Sequence, residues 1–304
     1  MRAMVFPGQG TQYPGMGKVL AQTFAEAKET FEEIDDALNR GLSQIMFGDD
    51  ETVLSDAENV QPALFAFSAA VWRVIEKQSG KKLKEIFSFA AGHSLGEYTA
   101  CCAAGAFDAP TAARLLEKRG KAMKNAVEPF TGGMAAIIGA NPDVLKAVTN
   151  EQCFIANDNA PSQTVISGKN AALERAMEQA LALGAKRAVK LAVSAPFHTP
   201  FMAPAAAVMA DALAQTPVST PDIPVVGNAT AAVVDDVRKE LTDQITHGVR
   251  WRETMAFLEK SGVTDIAEIG AGTVLRGLTK KNCPALTACS LNTPETLDEF
   301  FKTL

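Results

Sequence analysis

Apolar residues along this chain fall into two alternating rhythms. Short, nearly continuous apolar runs such as "AMVF" (3–6) and "IFSFAAG" (86–92) have the pattern of strands buried on both faces. Longer stretches repeat their apolar positions every three or four residues, as one face of a helix does. "FAEAKETFEEIDDAL" predicts an amphipathic helix, and "QPALFAFSAAVWRVIEKQSG" a more buried one closed by Gly80. "LGEYTACCAAGAF", directly after the run at 86–92, also reads as helix. Such alternation predicts an α/β fold on a largely parallel sheet.

The middle of the chain changes rhythm. "MAAIIGA" (134–140), "CFIAND" (153–158), "QTVISG" (163–168) and "KRAVKLAVS" (186–194) read as strands, the last with Val189, Leu191 and Val193 on one face. Between them lie two helical stretches, "PDVLKAVT" and "NAALERAMEQALALG", the second closed by Gly184. The order β-α-β-β-α-β in so short a span predicts a ferredoxin-like unit. It starts after "FTGG" and ends before "APFHTP". The expected division is therefore a large α/β-hydrolase-like unit of residues 1–130 and 195–304, with a small ferredoxin-like unit, 131–194, inserted into it.

Length and charge narrow the function. The 304 residues, 47% of them hydrophobic, suffice for one large core and a smaller one. A net charge of −6 and a pI near 5.3 argue against nucleic acid as a partner. Five cysteines form no C-x-x-C pair and no even framework, as expected of reduced, mostly buried thiols in the cytoplasm. The opening "MRAMVFPGQG" has too short an apolar stretch for a secretory leader. No run approaches the roughly eighteen apolar residues of a membrane span; the nearest, "ALFAFSAAVW", ends at Arg73 and Glu76. The expectation is a cytoplasmic monomer without membrane contact.

One serine stands out. Ser94, in "FAAGHSLGEYTA", lies in G-x-S-x-G between a predicted strand and a predicted helix. That is the setting of a nucleophile elbow, where a tight turn lifts the hydroxyl off the end of a sheet. The backbone N–H of Leu95 then becomes a donor for an oxyanion at a helix N-terminus. A serine also needs a base, and only three histidines exist. His93 should point away from its neighbour, and His247 precedes a glycine and an expected strand. His198, in "SAPFHTPFM", is held between two prolines ahead of a helix, where a lowered pKa keeps an imidazole neutral; context and elimination select it. No acidic third member can be picked out.

Arg119 is the next signal. At 100° per residue, Leu115, Leu116, Ala122, Met123 and Ala126 form one helical stripe and Arg119 falls inside it. A core-facing arginine has two explanations, an internal ion pair or a seat for a substrate carboxylate. Two glycine-rich turns, "FPGQGTQ" and "EIGAGTVLRG", lack the third glycine of a dinucleotide fingerprint, carrying Tyr13 and Leu275 there. No nucleotide P-loop and no metal-ligand spacing is present. A cofactor-free acyl-transfer or hydrolytic site is the expectation.

Six stretches, "FPGQGTQ", "GHSLGEYTA", "RGKAM", "SAPFHTPFM", "VRW" and "EIGAGTVLRGLTK", together resemble the malonyl-CoA:acyl carrier protein transacylases, in order and spacing, over nearly the whole chain. The resemblance implies that Ser94 accepts malonyl from malonyl-CoA and passes it to the phosphopantetheine thiol of acyl carrier protein, with His198 as base. It further implies an oxyanion hole from the backbone N–H groups of Gln9 and Leu95, a malonyl-carboxylate seat at Arg119, and a histidine oriented by the backbone carbonyl of Gln244. Asn157, Met123 and Phe197 would line the substrate pocket. Thr11 stands where that family commonly has serine. A hydrolase of the same fold would not need Arg119. An ordinary carboxylesterase would share only the elbow, and a non-catalytic carrier-binding module would not keep Ser94, His198 and Arg119 together. Arg276, Lys280 and Lys281 offer a basic patch for an acidic carrier protein, or simply a solvated helix face.

Overall fold

The computed structural model describes residues 1–129, 131–193 and 195–304. Phe130, which opens "FTGG", and Ser194, which ends "KRAVKLAVS", lie outside the described residues. Among the described residues the strands are β1 (Arg2–Phe6), β2 (Phe89–Gly92), β3 (Gly132–Ile138), β4 (Cys153–Ala160), β5 (Gln163–Lys169), β6 (Arg187–Lys190), β7 (Val225–Val226), β8 (Asp265–Ile269) and β9 (Thr287–Leu291). They form two sheets.

The larger sheet has the order β7-β2-β1-β8-β9 and is parallel throughout. Ala3 to Phe6 are fully buried, as an apolar central strand covered on both faces must be. The register pairs Phe6 with Gly92, so the turns after β1 and β2 emerge side by side at the carboxyl ends of the strands. In open parallel sheets ligand crevices form at that edge. The long helix Ala57–Ser79 packs beneath it, buried along most of its length, capped by the Asp56 side chain and closed by Gly80 at φ 68°. It begins before the apolar run and takes Pro62 into its second turn. The N–H that proline lacks would have bonded the Glu58 carbonyl, which instead accepts from Arg40 Nη2 at 3.0 Å. Among the described residues no helix is long and apolar enough to cross a membrane.

The smaller sheet has the order β4-β5-β3-β6, all antiparallel. With helices Pro142–Val148 and Asn170–Ala182 on one face it is ferredoxin-like. Its core contains Ala135, Ile137, Ile166 and Leu173. β4 bulges between Ile155 and Asn157, and there Asn157 bridges Val249. Val249 N–H donates to Ala156 O at 2.8 Å and Asp158 N–H to Val249 O at 2.9 Å, which ties β4 to the segment just ahead of helix Trp251–Lys260.

Besides the early start of helix Ala57–Ser79, three boundaries differ from expectation. β2 starts at Phe89 because Leu83–Ile86 closes into a short helix whose first N–H groups are capped by Glu76 and Glu85. β6 stops at Lys190 after pairing with β3; Leu191 and Val193 turn into a small cluster with Met134, Val165 and Phe197, while Val189 is 49% exposed. The strand expected after His247 is a single bridge at Val249, because helix Trp251–Lys260 starts two residues later.

Candidate active site

Ser94 sits in the turn between β2 and helix Gly96–Ala103 at φ 56°, a left-handed conformation that costs a non-glycine residue roughly 1–2 kcal/mol. Its neighbours leave no room to relax. A Cβ at Gly92 would lie 1.8 Å from Gly96 O, and one at Gly96 would lie 2.3 Å from Phe6 O. A Cβ at Gly8 would lie 2.7 Å from His93 O, so the first glycine-rich turn is pressed against the elbow. Asn228, just past β7, fastens the turn: its Oδ1 accepts the Ser94 N–H at 2.7 Å and its Nδ2 donates to Gly92 O at 2.6 Å. Among the described residues the backbone N–H groups of Gln9 and Leu95 have no acceptor. Leu95 is buried at the start of the helix and Gln9 is exposed.

His198 comes from the opposite wall. Its Nε2 lies 2.8 Å from Ser94 Oγ, and its Nδ1 lies 2.9 Å from the backbone oxygen of Gln244. A carbonyl only accepts, so Nδ1 carries the proton and the Nε2 lone pair faces the hydroxyl. The imidazole is pushed down to about 3, first by burial and then by the Arg119 charge. The lowered value was expected from a helix N-terminus; burial and a neighbouring cation are its causes instead.

Arg119, on helix Ala109–Lys124, is 1% exposed between Leu115, Leu116 and Met123. Nη1 donates to Gln61 Oε1 at 2.7 Å, and Nη2 donates to Gln244 Oε1 at 2.7 Å and to Ser94 Oγ at 3.2 Å. The internal ion pair is not formed: among the described residues no carboxylate bridges this guanidinium, and its buried Nε–H has no partner. Every acceptor around it is neutral. Burial lowers its pKa, partly offset by Tyr98 and Glu97, and the Tyr98 ring lies 5.5 Å away. Met123 supports the cradle, with Sδ 4.0 Å from Gln61 Nε2.

The other expected residues take outlying places. Asn157 is buried and its Nδ2 lies 3.5 Å from His93 Nε2, not against Ser94. His93 is held under the elbow by Asn159 Oδ1 at 2.8 Å and against Trp251. Phe197 is half-buried where the small cluster meets the main core. A cavity of about 500 Å³ beside His198 is lined by Phe154, Ile155, Pro200, Thr246 and His247 among others. In the basic patch Lys280 is exposed, Arg276 half-buried, and Lys281 bonded to Gln163 at 2.7 Å. No group of three or more metal-ligating side chains occurs among the described residues.

Four contributions were not found in the sequence: Gln61, Asn228, Glu97 and the side chain of Gln244. Glu97 carried a usable signal, being the one charge in the apolar helix after the elbow. It is fully buried, and its pKa is raised well above the usual range by burial and by nearby Glu240. The other three are neutral amides, and nothing distinguishes them from surface amides along the chain.

The acyl transferase domain family matches residues 3–270. A malonyl CoA-acyl carrier protein transacylase of Bacillus subtilis is 40% identical over 99% of this chain and 96% of its own. An acyl-carrier-protein-S-malonyltransferase from Bartonella henselae superposes with a TM-score of 0.95 at 44% identity, covering 99% of this chain and 98% of that one. A malonyl-transacylase solved in complex with its type II PKS acyl-carrier protein gives 0.95 at 40% identity, over 100% and 99% of the two chains. This chain belongs to the acyl transferase domain family, within its malonyl CoA-acyl carrier protein transacylase group.

Proposed function

We propose that this chain moves a malonyl group from malonyl-CoA to the phosphopantetheine thiol of acyl carrier protein, through a malonyl ester on Ser94. The observation that carries the reading is the buried cation at Arg119, 3.2 Å from Ser94 Oγ and surrounded by neutral acceptors. A buried, unpaired charge is costly, and a malonyl group attached to Ser94 brings the missing carboxylate.

In the first half-reaction Ser94 Oγ attacks the thioester carbon as its proton passes to His198 Nε2. The carbonyl oxygen gains the negative charge and is received by the N–H groups of Leu95 and Gln9; one such donor is worth about 10²–10³ in rate. Collapse breaks the C–S bond, His198 returns the proton to sulfur, and CoA leaves as a thiol. In the second half, His198 takes the thiol proton of the carrier's arm and sulfur attacks the malonyl ester. The C–O bond breaks, and Ser94 Oγ recovers the proton. The Gln244 carbonyl holds His198 throughout, in place of an acid.

We read residues 1–130 and 195–304 as the catalytic unit and 131–194 as the small unit that covers it. The reaction as written needs no cofactor. All five cysteines are free and four are buried, which supports a reducing, cytoplasmic setting.

Intact-mass measurement after mixing with malonyl-CoA tests the proposal. An adduct of malonyl mass is expected on the protein, absent from Ser94→Ala, and lost on adding phosphopantetheinylated carrier protein, which gains it. Release of free malonate with no labelled carrier would mean a hydrolase.

A further inference from the structure

Glu97 has no part in the proton transfers above, yet it is fully buried one turn from the elbow. Its Oε1 accepts the backbone N–H of Asn228 at 3.0 Å and its Oε2 accepts Gln244 Nε2 at 2.9 Å. Gln244 is itself fully buried, and the same Nε2 donates to Ser94 O at 3.0 Å. The amide nitrogen of Gln244 is therefore committed to the Ser94 backbone carbonyl, which only accepts, and to a Glu97 oxygen. This fixes the flip of the amide. Its oxygen is left facing Arg119 Nη2 at 2.7 Å, and the opposite flip would set an NH₂ against the guanidinium and an oxygen against the Glu97 carboxyl and the Ser94 carbonyl.

We propose that Glu97 is a positioning residue that acts through the Gln244 amide to hold Arg119 beside Ser94, and so sets the preference for an acyl group ending in a carboxylate over a plain one. The inference rests on the malonyl-transfer reading of Arg119. Of the two anchors on the guanidinium, Gln61 is attached to a helix that the elbow does not touch through this network. Gln244 alone links Arg119, Ser94 and the His198-bonded carbonyl in one side chain and its backbone. Glu97 is the side chain that reinforces that orientation, a second acceptor on the amide nitrogen beside the Ser94 carbonyl.

Glu97→Gln keeps the shape and removes one acceptor. With an NH₂ at one end, residue 97 can satisfy the Asn228 N–H or the Gln244 NH₂, but not both, and turning the Gln244 amide to suit it withdraws the oxygen from Arg119. The measurement is the single-turnover rate of Ser94 acylation from malonyl-CoA and from acetyl-CoA, in wild type, Glu97→Gln, Arg119→Ala and the double variant, each checked for folding by circular dichroism. Glu97→Gln is expected to lower the malonyl-to-acetyl rate ratio roughly tenfold, the scale of one weakened hydrogen bond to a charged group, chiefly by slowing malonyl. In the Arg119→Ala background the same substitution is expected to leave the ratio unchanged. Equal slowing of both acyl groups, or the same shift of ratio with Arg119 present and absent, would overturn the proposal and make Glu97 a structural residue only. If Arg119→Ala alone leaves the ratio unmoved, the functional reading of Arg119 fails and this proposal goes with it. Glu97→Asp, one methylene too short to reach both partners, carries the same expectation and replaces Glu97→Gln if that variant does not fold.

Discussion

Replacing Arg119 with alanine should separate the two acyl groups that the site could accept. In the free protein the guanidinium is sealed from water and bonded to Gln61, Gln244 and Ser94, none of which is charged. A malonyl carboxylate drawn to it would thus find its only full counter-charge there, and removing one partner of a buried charge pair costs about 2–5 kcal/mol. At ~1.4 kcal/mol per tenfold, malonyl transfer should fall by roughly thirty- to five-thousand-fold. Water entering the space vacated by the side chain would pull the loss toward the lower figure. Acetyl has no carboxylate to lose. Its rate should hold or rise, because Arg119 is among the groups that depress the His198 imidazole and its removal makes that nitrogen more basic. Quenched-flow acylation read by intact mass, with malonyl-CoA and acetyl-CoA in parallel, measures both. A malonyl loss matched by an equal acetyl loss would refute the reasoning and assign Arg119 to the scaffold.

Three further outcomes follow from the elbow and the imidazole. His198, held down near 3, stays a neutral base far into acid, so the acylation rate should be level from neutrality to about pH 5, where an ordinary histidine of pKa ~6.5 would be mostly protonated; a rate that halves near 6.5 would contradict the burial argument. The same shift feeds into stability: below about 6.5 the unfolded chain takes a proton at His198 that the folded one refuses, so this contribution is complete above that value and is lost as pH falls toward 3. At position 94, Ser94→Ala and Ser94→Gly both lose the hydroxyl, and only glycine relaxes at φ 56°. Ser94→Gly should therefore be the more stable of the two by about 1 kcal/mol in denaturant unfolding, and the reverse order would mean that the turn stores no strain.

Much of the site was legible because its chemistry depends on residues that stand out against their background. Ser94 needed two glycines around it, His198 was one of three candidates, and Arg119 lay on the wrong face of its helix. The Leu95 N–H was expected from the elbow itself, but roles for the N–H of Gln9 and the carbonyl of Gln244 were expected only from resemblance, since a backbone group leaves no trace in residue type. The amides were not legible at all: Gln61 and Asn228 come from a helix and a loop far from Ser94 in sequence, and only tertiary packing makes them neighbours. In the fold, alternation located both sheets. Boundaries slipped where a local contact overruled the apolar pattern, as at β2, shortened by capped Leu83–Ile86, and at helix Ala57–Ser79, extended upstream by the Asp56 cap. The basis of the His198 shift was likewise tertiary, since burial cannot be read from two flanking prolines.

The place of β1 in its sheet has a consequence for how the chain is made. This early strand is the middle one, paired on one side with β2 and on the other with β8, where Arg2 meets Asp265. On the ribosome the β2 partner arrives early. The β8 partner arrives only after some 263 further residues (265 − 2), roughly 13–50 s at 5–20 residues per second. Through that interval a strand that ends up buried from Ala3 to Phe6 offers an open edge, the form of surface on which chains aggregate. The antiparallel sheet β3–β6 is contained within residues 132–190 and can close while β1 still waits. Slowing translation downstream of β7 should therefore lower soluble yield, and an unchanged soluble fraction on gel densitometry would refute the argument.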